Sequence, residues 1–365
     1  MNSKSPLLMI GVGGAGCAMV RGMLRACGGD VPRHVLADTD SSSARAPSPF
    51  VLLGGDRLSG LGSGGDIGQA RLAAGDSLKL FDEPLEGVRL AVIVAALGGG
   101  TGGGASAEIA KHLSRNGIPC MVMATLPFAF EGEDRQRKAR IAMPAIEEFA
   151  SATVFMRLDN LVGDAATMED AMRRAVDTLA TGATLFWRLL EKPGYIRFDI
   201  ERARKIVSAA GRGRFAAVSA EGGDRARKIV DSLASSPLLA GAASQPKSIV
   251  CGVLAGDDLR LAEVGEIADG VRDAFGRRAA FDLATVNDES TFSGRIAVVA
   301  MLFESGASGD GSSEPSGRRA KKSRNPLAPG PQGRRGRFNN VESTVWHGED
   351  IDVPAFIRRG ITLDI

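Results

Sequence analysis

The chain has 365 residues, 45 basic and 43 acidic, for a net charge of +2. Hydrophobic residues make up 44% and aromatic ones 5%, with 47 glycines, a balance that suits an α/β protein of about two domains with many tight loops. Near-neutral charge creates no demand for a nucleic-acid partner. No apolar run approaches the ~20 residues of a membrane span, and the run at 7–12 is too short for a secretory leader. Cys17, Cys27, Cys120 and Cys251 form no C-x-x-C pair, so reduced thiols in a cytoplasmic protein are expected. His34, His112 and His347 lack metal-ligand spacing, so no metal-ion cluster of their making is expected.

Residues 6–12 read as a buried strand that runs into Gly11-Val12-Gly13-Gly14-Ala15-Gly16, a G-x-G-x-x-G turn opening a helix over 15–26. That unit places a phosphate over a helix N-terminus, where N–H groups are unpaired and the dipole is positive. A second short strand at 35–37 ends at Asp38-Thr39-Asp40. An acid about 20 residues after such glycines is where a dinucleotide fold binds a ribose hydroxyl. Residues 54–68 are glycine-rich and expected as a loop, and 67–80 as a helix.

The apolar run 90–97 leads into Gly98-Gly99-Gly100-Thr101-Gly102-Gly103-Gly104. Glycine lets the backbone approach a ligand closely. A flexible linker is the plainer reading of such a run, but no polar spacer separates it from the strand before or the helix at 105–115. The pattern continues with strands at 118–126 and 153–158 and a helix at 134–150, joined by a loop at 128–132. The alternation predicts a parallel sheet covered on both faces. A long helix follows over 167–190, with Met168 and Met172 read as core filler, then an extended piece at 196–199 and a basic helix at 200–210. Strands at 215–219, 248–254, 280–286 and 295–303 and helices at 224–234 and 261–275 predict a smaller sheet of three or four strands with two helices.

From 305 to 349 the composition turns to Gly, Ser, Pro and Arg, with no acid between Arg318 and Arg337. This predicts a disordered basic linker, solvated or in contact with anionic lipid. Apolar residues return at Ile351, Val353, Phe356 and Ile357, as in a peptide that docks on a partner.

Two phosphate loops on one sheet resemble the tubulin/FtsZ family of polymerising GTPases. The run 98–104 is similar to its G-G-G-T-G-[ST]-G signature, with Gly103 at the Ser/Thr position. Asp38-Thr39-Asp40 resembles its Asn-Thr-Asp, Gly60-Leu61-Gly62-Ser63-Gly64 its G-L-G-x-G, and Phe128-Ala129-Phe130-Glu131-Gly132 its F-x-F-E-G. Residues 235–239 also match its second domain, and the tail from Asp350 to Arg359 resembles the FtsZ docking peptide. The resemblance implies a GTP-binding domain at 1–163, a central helix at 164–192, an α+β activation-type domain at 193–304, the linker at 305–349 and the peptide at 350–365. It implies GTP or GDP, with Mg2+ as a candidate companion, held by Gly13, Gly14, Ala15, Gly98, Gly99, Gly100, Thr101, Gly102, Gly103, Glu131, Arg135 and Asp177. It implies head-to-tail self-association at the bacterial division site, and membrane-tethering or regulatory division proteins on the tail.

The family completes its site with a loop from the neighbouring subunit reading Asn-x-Asp-x-x-Asp. Here that loop reads Arg197-Phe198-Asp199-Ile200-Glu201-Arg202. Asp199 is kept and Glu201 is adjacent, so these are the candidate catalytic acids. One residue along a helix turns a side chain by about 100°, and Arg202 cannot orient water as a carboxylate does. Slow hydrolysis is expected, or a non-catalytic scaffold that co-assembles with a standard FtsZ. On the base side Val176, Met172 and Leu158 replace the family's Asn, Phe and Asn. A nicotinamide-dependent dehydrogenase remains a reading of 11–16 with Asp38, but it assigns nothing to 98–104.

Overall fold

In the computed structural model the described residues are 5–27, 31–45, 47–161, 167–240, 246–304, 345–346 and 349–350. Two compact units are present, 1–309 and 310–365. In the second, Val345–Trp346 and Glu349–Asp350 pair as a short antiparallel ladder. Apart from that ladder, whose Val345, Trp346 and Glu349 fall in the expected linker and Asp350 in the docking peptide, both expected segments lie outside the described residues.

The first unit opens with β1 (Leu7–Val12), α1 (Gly13–Ala26), β2 (His34–Asp38) and β3 (Phe50–Leu52). Short α2 (Gly55–Leu58) lies inside the expected glycine-rich loop, before α3 (Ile67–Asp76) and α4 (Asp82–Leu85). Then come β4 (Leu90–Ala96), α5 (Gly100–Arg115), β5 (Cys120–Leu126), α6 (Glu133–Glu147) and β6 (Ala152–Arg157). The expected helix 67–80 is shorter, with its last turn a separate 3-10 segment at Leu78–Phe81. Conversely, α5 starts five residues earlier than expected, inside the glycine run. Helix-weak glycine is overridden there by packing, since Gly100 through Gly104 are all buried.

The long helix α7 (Met168–Glu191) is followed by α8 (Ile200–Ala210), β7 (Gly211–Glu221), α9 (Arg225–Ala234) and β8 (Ser248–Ala255). The unit closes with α10 (Leu261–Phe275), β9 (Ala280–Asn287), α11 (Glu289–Phe292) and β10 (Arg295–Phe303). The smaller sheet has the four strands expected at most, in the order β7-β10-β8-β9, but it is not separate. One ten-stranded sheet runs β3-β2-β1-β4-β5-β6-β7-β10-β8-β9. It is parallel from β3 to β7, antiparallel across β7/β10/β8, and parallel again at β8/β9. The join at β6 and β7 is only three register pairs, Ala152↔Gly211 to Val154↔Gly213.

Period-two alternation sorts the strand residues onto two faces. Leu7, Met9, Val92 and Val94 pack with α1, α7 and α8. Leu8, Ile10, Ile93 and Ala95 pack with α3, α5 and α6. In the distal half, Val250, Val299 and Met301 join the α7 side, while Ile249, Val298 and Ala300 pack with α9 and α10. Helix α7 therefore lies against both halves of one sheet. Two glycines let it lie close. A Cβ on Gly182 would run into the Phe215 ring, and one on Gly252 into Leu189.

Buried charges in the distal half are paired. Arg225, with 5% side-chain exposure, bonds Glu263 at 2.7 Å and Asp258 at 2.6 Å. The Arg225 hydrogen bond holds the Glu263 carboxyl below its ordinary range. Arg188 pairs with Asp288 and lies 5.6 Å from the Phe292 ring centroid.

Two predictions follow from this packing. Gly→Ala inside a helix ordinarily stabilises by roughly 0.5–1 kcal/mol. Gly182→Ala is expected to destabilise instead, by about 1–3 kcal/mol, because it overpacks Phe215; the urea midpoint at unchanged m-value reads the sign. A carboxyl whose folded pKa is depressed contributes stability above its unfolded value of about 4.3, lost as pH falls through the folded pKa. Stability should therefore fall below about pH 4.5, and less steeply in Arg225→Met than in the parent, measured by denaturant midpoints across pH.

Candidate nucleotide-binding site

The C-terminal ends of β1, β2 and β4 surround a cavity of about 390 Å³. The elements that follow β1 and β4 are α1 and α5, and their N-termini converge there. Neither has a side-chain N-cap, and neither carries an acid in its first turn. Of the other helices, α3, α7 and α8 have side-chain caps, from Asp66, Thr167 and Asp199, while α6 and α9 have none; α6 meets the cavity only at Arg135 and α9 not at all. The two helices whose N-termini converge on the cavity thus leave first-turn N–H groups for something else to satisfy.

The side chains alone do not make the cavity an anion site, since Asp38, Asp40 and Arg135 are its charged lining residues. Attraction for an anion comes from the backbone. Asp38 is 3% exposed and engaged, accepting from Thr39 N at 2.8 Å and from Ser43 Oγ at 2.6 Å. Asp40 accepts from Ser42, which holds its carboxyl below the usual range. Thr101 Oγ1 lies 2.7 Å from Thr39 Oγ1 and 3.4 Å from Ser63 Oγ. Three hydroxyls from three segments therefore meet on the cavity wall.

The glycines divide by what a side chain would meet. At Gly99 a Cβ would enter open space, in an extended backbone of φ −90°. At Gly102 it would collide with the Ala96 carbonyl, and at Gly104 with the Ile67 carbonyl. At Gly100 it would lie 2.7 Å from Asp66 O, and at Gly103 2.9 Å from Ala142 Cβ. Gly98 has φ +103° and packs against Arg135 and Pro127. Most of the run is thus bare because protein, not ligand, approaches it.

Of the expected nucleotide contacts, Gly13, Gly14, Ala15, Gly99, Gly100, Thr101, Gly102 and Arg135 line the cavity. Gly98 and Gly103 sit behind it. Glu131 is turned to its own neighbours, accepting from Phe128 N at 2.8 Å and from Arg135 Nη1 at 2.7 Å. Asp177 is exposed on α7 and does not line the cavity, while Val176 packs toward α1 at Gly22. Leu158 is buried, and the Met172 side chain lies outside the described residues. Thr39, Ser63 and Leu61 also line the site; their signal was the placement of Thr39 between two acids and of Ser63 between glycines.

The loop acids lie elsewhere in the chain. Asp199 Oδ1 accepts from Arg202 N at 2.8 Å as the cap of α8. Glu201 pairs with Arg89 at 2.7 Å and Arg204 at 3.3 Å. Arg202 pairs with Asp282 of β9, whose side chain is 8% exposed. Arg197 is exposed.

Comparison with known proteins agrees with this architecture. The family model "Tubulin/FtsZ family, GTPase domain" matches residues 6–165. The cell division protein FtsZ of Coxiella burnetii is 30% identical over 294 residues, 78% of this chain and 75% of that protein. FtsZ of Magnetospirillum gryphiswaldense is also 30% identical, over 78% of this chain; the match spans about half, 52%, of that protein's length. Among solved structures, an empty FtsZ dimer from M. jannaschii superposes with a TM-score of 0.75 at 22% identity, covering 81% of this chain and 87% of that one. CetZ2 from Haloferax volcanii, in a GTPgS-bound protofilament, gives 0.67 at 22% identity, covering 83% and 94%. A TubZ from Clostridium botulinum phage c-st gives 0.60 at 15% identity, covering 83% and 93%. With the sheet order, the cavity and the C. burnetii match in agreement, the chain belongs to the tubulin/FtsZ family.

Proposed function

We propose that the chain binds GTP or GDP in the cavity between α1 and α5 and assembles head to tail into protofilaments in bacterial cell division. The observation that carries the nucleotide reading is the pair of uncapped helix N-termini converging on one cavity, with Gly99 open to it. Phosphate oxygens would accept from those N–H groups, and Asp38 and Asp40 are the carboxylates beside which Mg2+ would sit. Residues 1–163 would form the nucleotide domain, 164–192 the central helix and 193–304 the activation-type domain. The basic segment 305–349 and the tail 350–365 would serve as linker and docking peptide at the cytoplasmic division site, with division proteins on Asp350 to Arg359 and anionic lipid as a further contact.

Hydrolysis in this reading is catalysed by a loop from the next subunit and is slow. The catalytic part is positioning of water, and Asp199 and Glu201 are the acids for it. A specific observation favours the second reading, a non-catalytic scaffold co-assembling with a standard FtsZ. Asp199, Glu201 and Arg202 are each engaged within this chain, as helix cap, ion pair with Arg89 and ion pair with Asp282.

Gly99→Val adds a side chain to the cavity where no protein atom obstructs it, so the fold should persist while nucleotide affinity falls by about tenfold or more, ~1.4 kcal/mol. Equilibrium binding of GTP, GDP and ATP, with unchanged circular dichroism, checks this; unchanged GTP affinity would remove the cavity from the reading. For hydrolysis, Arg202→Asp alone would set two carboxylates side by side, so the variant is Arg202→Asp with Asp282→Asn. Phosphate release, read with sedimentation of polymer, is expected to be slow in the parent and to rise in the double variant. No rise with polymer present would favour the scaffold, and fast turnover by the parent would overturn the slow-hydrolysis claim.

A further inference from the structure

The seam between β6 and β7 contains a second cavity, separate from the nucleotide site. The two strands exchange three register pairs and then part. Phe155, Met156 and Arg157 still pair with β5, and Arg214 and Phe215 with β10. A cleft of about 280 Å³ opens where they part.

Its wall combines apolar surface with positive charge. Leu126, Met143 and Phe155 line it, and so do the guanidiniums of Arg157, Arg212 and Arg214 against the carboxylates of Glu147 and Glu304. Arg212 is saturated by Glu147, in a bidentate pair at 2.7 and 2.9 Å. Arg214 is held by the Leu239 carbonyl at 3.2 Å, with Glu304 at 3.7 Å. Arg157 is exposed and has no ion pair among the described residues. A second feature points to a ligand independently. Thr153 lines the cleft at 3% exposure, and its Oγ1 has no hydrogen-bond partner. A buried hydroxyl without a partner costs roughly 1–3 kcal/mol in the empty protein and is ordinarily satisfied.

We propose that this cleft binds a small organic anion with an apolar body, its carboxylate on Arg157 beside Arg214 and a second polar group at its far end within reach of Thr153. The excess guanidinium selects the charge, and Leu126, Met143 and Phe155, on the face away from α7, select the apolar body. The volume selects the size. About 280 Å³ lies at the small end of ligand pockets, which run from roughly 300 to 1,000 Å³, so a nucleotide or a folded peptide is too large. The reading is independent of the proposed function, because the cleft shares no residue with the nucleotide cavity.

The test uses the full chain labelled at its methionine methyls and titrated with decanoate, with 1-decanol as the neutral counterpart. Decanoate is expected to shift the Met143 methyl saturably. Arg157→Ala should weaken that binding about tenfold or more, as expected for one charge-assisted hydrogen bond. Arg157→Lys should restore most of it, and 1-decanol should bind much more weakly. 10-Hydroxydecanoate, which adds a hydroxyl at the far end, should bind more tightly than decanoate, and Thr153→Val, which keeps shape, should remove that gain without lowering stability. The proposal is overturned by no saturable shift at Met143, by equal affinity of decanoate and decanol, or by an Arg157→Ala titration matching the parent.

Discussion

The first turn of α5 approaches the end of β4 so closely that a Cβ on Gly102 would collide with the Ala96 carbonyl. The start of α3 closes on the same turn from the other side, at Gly100 and Gly104. This crowding holds the N-terminus of α5 against the sheet without a side-chain cap and directs it at the cavity. Any larger residue there would displace the helix and, with it, the N–H groups on which anion binding depends. Cavity geometry and core packing are therefore one constraint.

Helix α7 carries the same principle to the scale of the domain. The sheet is joined at its middle by three register pairs, a thin seam for ten strands. Burial of Leu179, Ala183, Phe186 and Leu189 against both halves holds them together on one face. Gly182 and Gly252 let Phe215 and Leu189 into the interface. On the opposite face the two halves have separate helix layers, and the unpaired ends of β6 and β7 leave the cleft open.

The loop at 193–202 is stitched along β9, the edge strand of the sheet. Asn287 N donates to Pro193 O at 3.1 Å, and Thr285 N to Ile196 O at 2.9 Å. Ile196 N donates to Thr285 Oγ1 at 2.8 Å, and Arg202 pairs with Asp282 further along. The loop thus covers backbone donors that an edge would otherwise expose. A cation at 202 suits this arrangement better than an acid would, because Asp282 is buried and needs a partner. The cation at 202 consequently has an intramolecular role.

Sequence alone determined the order of the long strands and helices, because period-two and period-3.6 patterns report local burial directly; α10 at 261–275 and β10 at 295–303 were legible to the residue, whereas β3, α2, α4 and α11 are too short to show a period. It also located the cavity, since G-x-G-x-x-G after β1 and the glycine run after β4 mark two helix starts. It misjudged where α5 begins, because propensity makes six glycines look like a loop and only neighbouring atoms decide otherwise. It could not separate Gly99, which faces open space, from Gly102 and Gly103, which face protein, since identical residues carry no record of what lies 3 Å away. Nor could it see that the second sheet continues the first, or that Glu201 and Arg202 are paired within the chain. Those are long-range contacts, between Glu201 and Arg89 or Arg202 and Asp282, and only the tertiary structure, by bringing distant segments together, decides them.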